Sequence, residues 1–405
     1  MRISTQTFYE RSMTAIGAQQ GNLLRVQQQL GAGSKILAPS DDPLGATRSL
    51  ALSQSIALGE QYTATRAQAT QTLTMEENAL QSVTSVLQNI KGLLVQAGNG
   101  TLTDADRATI ATTLQSNLDQ LHGLANTDDG NGQFLFAGFK SGSAPFVKQA
   151  DGSILYSGDQ GKRLMQVDVS RQMAGTDDGR SIFQTVQGGA GYVSSSAPGN
   201  TGSGVFGATT VVNSADPNYG KEWVITFSSP PTSYTADTVP PLVPAPAPAV
   251  YAADSPINLG GLQMAISGVP AAGDTFKVAT AKNAGTDVFA AISDVIKALN
   301  TSTTGGGPEA QAKVLNALST ANRKVTNAHD NVLTVRSSVG SRLNELDALA
   351  VTGDNRTLTD KSYLSDLQDL DYATAIAEFY QRQTALQASQ QTFVRIQQIS
   401  LFNYL

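Results

Sequence analysis

The residues of this 405-residue chain that could do covalent chemistry are few, and their spacing argues against most of it. There are two histidines, His122 and His329, and no His-x-x-His or Glu-x-x-His pair that could seat a metal. His329 falls beside Ala328 in a helical repeat and reads as a helix-surface or half-buried structural side chain. Asp41-Asp42 looks like a carboxylate pair. With Pro43 directly after it, the pair reads better as a helix start, with Ser40 or Asp42 as N-cap. Asp128-Asp129-Gly130-Asn131-Gly132 resembles a calcium loop, but the alternating ligands and closing glutamate are missing, so a turn is expected. Gly202-Ser203-Gly204-Val205-Phe206-Gly207 spells G-x-G-x-x-G without the preceding strand and following helix that place a phosphate. Gly158-Asp159-Gln160-Gly161-Lys162 lacks the first glycine of a P-loop and reads as a turn. Cysteine is absent, which excludes a disulfide scaffold, a thiolate metal site and a cysteine nucleophile.

The spacing that does recur is apolar, and its chemistry is association. Tyr9, Ile16, Leu23 and Leu30 repeat every seven residues near the start. Tyr372, Phe379, Leu386 and Phe393 do the same near the end. Glutamines occupy the second seam position: Gln20 and Gln27 in front, Gln383, Gln390 and Gln397 behind. Such a repeat asks for a partner helix, and polar seam residues fix register at a cost in stability. The two ends are expected to pair antiparallel, to finish folding on assembly, and to leave Val26, Val394 and Leu401 for neighbours.

Composition narrows the partners. Apolar residues make up 40% of the chain, enough for a core in at least part of it, and the formal charge is −6. That balance argues against nucleic acid and against anionic membranes as partners. No window approaches the roughly 18 apolar residues of a membrane span. The opening residues lack the apolar region of a cleaved signal peptide, so export by that route is not expected.

The elements that must position the repeats follow from periodicity. The expected fold class is mainly α with an inserted β domain. Both chain ends form a long coiled-coil bundle, with a β-rich head at the far tip. A terminal-helix layer is expected over 1–45 and 360–405, a helical rod over 46–130 and 286–359, and the head over 131–285. Leu73, Leu80, Val83, Leu87, Ile90 and Leu94 form one seam, ended by Gly98-Asn99-Gly100. Thr103 and Asp106 make a capping box ahead of Ile110, Leu114, Leu118 and Leu121. Strands are expected at 133–137, 154–156, 164–169, 223–227, 262–267 and 275–279. A proline-rich stretch over 228–256 reads as an exposed insertion. A last heptad runs from Val314 to Leu349, with Pro308 at its start and Gly353 at its end. The terminal helix is then expected from Asp360 or Asp366.

Taken in order, these motifs resemble a family. Met1-Arg2-Ile3-Ser4-Thr5, then Leu30 to Ile36 with Pro39-Ser40-Asp41-Asp42-Pro43, are similar to the flagellin family. Gly132-Gln133-Phe134-Leu135-Phe136-Ala137-Gly138 resembles its hook–filament junction branch, the hook-associated protein 3 family, more closely than the filament subunits. Pro145-Phe146, the run from Tyr156 to Gly161, the run from Gly273 to Val278, and the stretch from Asp371 to Leu405 continue the resemblance. It implies a structural flagellar subunit with no catalysis and no cofactor. It implies unfolded export to the outside without a cleaved signal, and an export chaperone on the C-terminal helix. It implies a ring of copies between the preceding hook-associated junction protein and flagellin. The alternatives are flagellin itself and a secreted binding module or enzyme in the β head.

Overall fold

The computed structural model describes residues 5–229 and 233–398. The opening Met1 to Ser4 and the closing Leu401 to Leu405 lie outside the described residues, as does the side chain of Gln397. The helices are α1 (Thr5–Ala32), α2 (Pro43–Ala97), α3 (Asp104–Ala125), α4 (Gly179–Phe183), α5 (Val288–Leu299), α6 (Gly307–Gln368) and α7 (Tyr372–Gln398). Between α3 and α5 lie β1 (Phe146–Lys148), β2 (Ile154–Tyr156), β3 (Leu164–Asp168), β4 (Arg171–Ala174), β5 (Val193–Ser196), β6 (Val205–Phe206), β7 (Thr210–Val211), β8 (Glu222–Phe227), β9 (Ser233–Val239), β10 (Ala249–Val250), β11 (Pro256–Leu259), β12 (Leu262–Ser267) and β13 (Thr275–Ala279). The chain is mainly α with an inserted β region, as its periodicities imply.

Contacts divide it into two units, 65–347 and the remainder, with α2 and α6 contributing to both. In the 65–347 unit, α2 buries Leu73, Leu80, Val83, Leu87, Ile90 and Leu94, the seam that the sequence marks. The Thr103–Asp106 capping box opens α3, whose Ile110, Leu114, Leu118 and Leu121 are buried. The β region holds an antiparallel sandwich. One sheet has the order β10-β9-β8-β13-β5, and the other is β11-β12-β6 with β7 also on β12. Strict alternation in β8 and β12 turns Trp223, Ile225, Phe227, Leu262, Met264 and Ile266 inward onto Phe276 and Val278.

Two sequence expectations change here. Residues 133–137 are turns rather than a strand. Leu135, Phe136 and Ala137 are all buried, which an alternating strand facing one core cannot do. Their backbone bonds go to scattered partners: Leu135 N–H donates to the Thr127 carbonyl at 3.0 Å, and the Phe136 carbonyl accepts from Gly179 at 2.8 Å. The proline-rich stretch is not all exposed decoration either. Its β9 pairs with β8 along six residues, and Tyr234, Leu242 and Tyr251 pack against the sandwich core. The run from Pro240 to Pro248 lies outside the sheets, with Val243 96% exposed, and it leads into β10, an edge strand.

Candidate assembly interface

The other unit holds the two heptad-bearing termini. α1 and α7 pack antiparallel. The Tyr9 and Phe393 rings meet edge to face at 5.7 Å near one end, and Gly33 lies against Tyr372 at the other. Ile16, Leu23 and Leu30 on α1 and Phe379, Leu386 and Phe393 on α7 are half-buried, as seam positions of a two-helix pair must be.

The second seam position differs from the glutamines expected. Gln20, Gln27 and Gln390 are exposed, and Gln383 is half-buried. The inward residues are Ser12, Gln19 and Val26 on α1, and Ala375, Arg382 and Ser389 on α7. With Tyr9, Ile16, Leu23 and Leu30 fixed, these lie alternately three and four residues away, the spacing of an a/d seam, whereas Gln20 and Gln27 lie one step round the helix. Val26 is therefore used within the chain, at 4% exposure, and is not left for a neighbour. Val394 is outward, as expected; Leu401 lies outside the described residues. Tyr372 is also reassigned. It is 53% exposed, and its hydroxyl sits over the backbone of Gly33 instead of in the helix seam.

The joint that carries the pair is made of two helix breaks side by side. α1 stops at Gly33, whose φ of +69° needs a residue without a Cβ. Lys35 N–H donates to the Gln368 carbonyl at 2.8 Å, and Leu370 N–H donates to the Gly33 carbonyl at 3.0 Å. Ser34 thus bridges Asp369 antiparallel. The Lys35 ammonium adds a bond to the Asp366 carbonyl at 2.8 Å. α7 then starts at Tyr372, capped by Asp371, which accepts from Ala373 N–H at 3.0 Å and from the Thr374 hydroxyl. Those bonds, the Thr374 hydroxyl foremost, hold the Asp371 carboxyl below the usual range. The expected helix start at Asp360 or Asp366, and the expected stop at Gly353, are overturned: α6 runs unbroken to Gln368. An interior glycine costs only about 1 kcal/mol against alanine. Past Gly353 the helix is held by Ser55 donating to Asp360 at 2.8 Å and by a Lys361–Glu60 ion pair at 3.1 Å.

The first break also holds Pro39-Ser40-Asp41-Asp42, ahead of Pro43 at the start of α2. The Asp41 Oδ2 accepts from Leu37 and Ala38 N–H, each at 3.1 Å, and its other oxygen pairs with Arg25 at 3.1 Å. Asp42 accepts from Gly45 N–H at 2.9 Å and is the N-cap of α2; Ser40 is not. The two carboxylates serve separate backbone groups.

The second motif, Gly132 to Gly138, belongs to the 65–347 unit. Gly132 and Gly138 have φ of +79° and +68°. Phe136 is fully buried and meets Phe183 edge to face at 5.9 Å. Phe134 is half-buried beside it. The apolar residues at the centre of this loop, Leu135, Phe136 and Ala137, pack inward. Ahead of it, Asp129 accepts from Asn131 and Gln133 N–H, in that order of effect, which closes a turn and holds its carboxyl low. Among the described residues no cluster of His, Asp and Glu could hold a metal.

The remaining chemical motifs resolve into structure. At Gly202–Gly207 the place a phosphate would take belongs to buried Asp274, which accepts from Thr201 N–H at 2.8 Å and Gly202 N–H at 3.0 Å. Sequence reasoning missed this pairing, because more than seventy residues separate the partners. His122 Nε2 lies 2.9 Å from the Phe146 carbonyl, and His329 is buried beside Asp330. A cavity of about 350 Å³ between β5, β6 and α6 is lined by Tyr192, Ser194, Phe206, Thr209, Asn322 and Arg323. Arg323 is its one charged side chain, and no nucleophile–base pair lines it.

Paired helical termini on either side of an inserted β region in the sequence are the layout of a flagellin-type protein. Residues 3–141 match the profile of the bacterial flagellin N-terminal helical region, and residues 323–405 match that of the C-terminal helical region. Over 402 residues it is 33% identical to flagellar hook-associated protein 3 of Salmonella typhimurium strain LT2, covering 99% of both chains. The crystal structure of Xanthomonas campestris FlgL is 28% identical with a TM-score of 0.69, covering 78% of this chain and 99% of that one. The flagellar junction protein FlgL from Legionella pneumophila is 25% identical with a TM-score of 0.66, covering 79% and 99%. The chain belongs to the flagellin family and, within it, to the hook-associated protein 3 group.

Proposed function

We propose that this protein is a structural subunit of the bacterial flagellum that joins the hook-associated proteins to the flagellin filament. The observation that carries the reading is the α1–α7 pair. Its seam is satisfied within the chain, yet Met13, Leu24, Ile376, Tyr380 and Val394 remain exposed on its outer surface. Apolar residues left outward on paired helices suit burial against other subunits, in contacts that propagate without closing on themselves. Likeness along the whole length to hook-associated protein 3 supports the junction role over that of bulk filament subunit.

The partners on this reading are copies of the chain in a ring, the preceding hook-associated junction protein on one side and flagellin on the other. An export chaperone covers the C-terminal helix in the cytoplasm. The protein travels unfolded to the extracellular flagellum and acts there without catalysis. The terminal helices, 1–45 and 360–405, become ordered on assembly, which keeps the exported monomer from polymerising early. The rod spans 46–130 and 286–359, and the head spans 131–285.

Deleting the gene tests the junction role. Cells should become non-motile, carry hooks with no filament by electron microscopy, and release flagellin into the medium. Filaments on the deletion strain would overturn the reading, whereas long filaments formed by the purified protein alone would instead favour the bulk-subunit reading.

A further inference from the structure

Away from the terminal helices, α2 carries a buried acid that the assembly reading does not use. Glu76 is completely buried. One carboxyl oxygen accepts from Asp177 N–H at 3.2 Å, and the other is buried without a partner among the described residues. Three charged groups from other segments face it: Asp177 from the turn before α4, Arg342 from α6, and Lys162 from the segment before β3. Both cations are already committed to Asp177. Arg342 pairs with one of its oxygens, and Lys162 with the other at 3.3 Å. The neighbouring acid on α2, Glu77, is taken by Arg336 at 2.9 Å.

What Glu76 holds is thin. The β3–β4 hairpin has two strands and inserts Val167 and Met173 as its buried residues. It is fastened to the long helices by polar bonds. Arg66 donates to the Val167 carbonyl at 3.1 Å, Arg171 to Glu345 at 2.8 Å, and Arg342 to the Ala174 carbonyl at 3.0 Å. A two-stranded hairpin has little stability of its own, so these fastenings decide whether it stays down.

We propose that Glu76 holds the β3–β4 hairpin and the turn after it seated on α2 and α6 most firmly while it carries a proton, so that this joint loosens as the surroundings become alkaline. Losing the proton places a buried charge beside half-buried Asp177, whose two cations are already engaged. Burial, and then Asp177, push the Glu76 carboxyl up to about 8. The sign follows from that direction. A raised carboxyl favours the seated state most at pH below its ordinary value. The gain shrinks as pH rises and is exhausted once pH passes the raised value. From pH 6 to pH 8 the seated-to-open ratio falls by roughly fifty-fold.

Hydrogen exchange on the full-length protein tests this by comparing wild type with Glu76→Gln at each pH, so that intrinsic exchange rates cancel. The glutamine keeps the acceptor for Asp177 and cannot ionise. Both proteins should protect residues 165–177 alike at pH 6. At pH 8 the wild type should lose protection there by roughly fifty-fold relative to the variant, while the sandwich strands β8 and β13 stay unchanged. Equal protection at both pH values overturns the proposal. Should the variant fold poorly, carbon NMR of the Glu76 carboxyl in the wild type decides instead. A titration near pH 8 supports the switch, and one in the ordinary glutamate range overturns it.

Discussion

Gly33 is the residue on which the joint between the two helix breaks turns. Its φ of +69° costs an ordinary residue about 1–2 kcal/mol. A Cβ there would also lie 2.9 Å from the Tyr372 hydroxyl, but that contact is with the far end of a side chain that can swing aside. The backbone term therefore dominates. Gly33→Ala should speed amide exchange at Lys35 and Leu370 by about 5–30-fold, and Gly33→Asn should do so less, since asparagine tolerates this region better. Unchanged protection at both amides would contradict the account. Local chemistry of this kind was legible in the sequence. The Thr103–Asp106 box and a cap for α2 at Ser40 or Asp42 follow from neighbours within three residues, and the structure gives the cap to Asp42. The occupation of the Gly202 loop by Asp274 was not, because nothing local links the two.

Leu386 sits half-buried in the α1–α7 seam and tests that element. Leu386→Asp exchanges apolar contact for a charge with no partner, and should weaken the helix pair by about 2–4 kcal/mol. The 65–347 unit shares none of that contact. Thermal unfolding followed by Trp223 fluorescence should therefore be unaltered while helicity falls, and junction assembly and swimming should be lost. A shifted Trp223 transition, or normal swimming, would count against the proposal. The heptads themselves could be read from sequence, and so could strands 262–267 and 275–279, which match β12 and β13. The phase of the second seam position could not. Glutamine repeats at seven residues on the outer face as regularly as Ser12, Gln19 and Val26 do on the inner one, and period alone does not separate them. Gly353 was misread for a different reason, since packing along α6 outweighs one glycine.

At the scale of the whole chain, sequence shows helices, then strands, then helices, because each class has its own period. Sheet order stays hidden, since β13 lies between β8 and β5 only through pairings between distant segments. If the terminal helices are finished by assembly, limited trypsin digestion of the monomer should trim α1 and α7 early and leave a resistant core containing 65–347. Termini as resistant as that core would refute it. The prolines ahead of β10 have a consequence at this scale too. Pro240, Pro241, Pro244, Pro246 and Pro248 supply no N–H, and the edge strand that they lead into is two residues long. The sandwich thus presents no long open strand edge on that side. Stray sheet-to-sheet aggregation finds little there to template on.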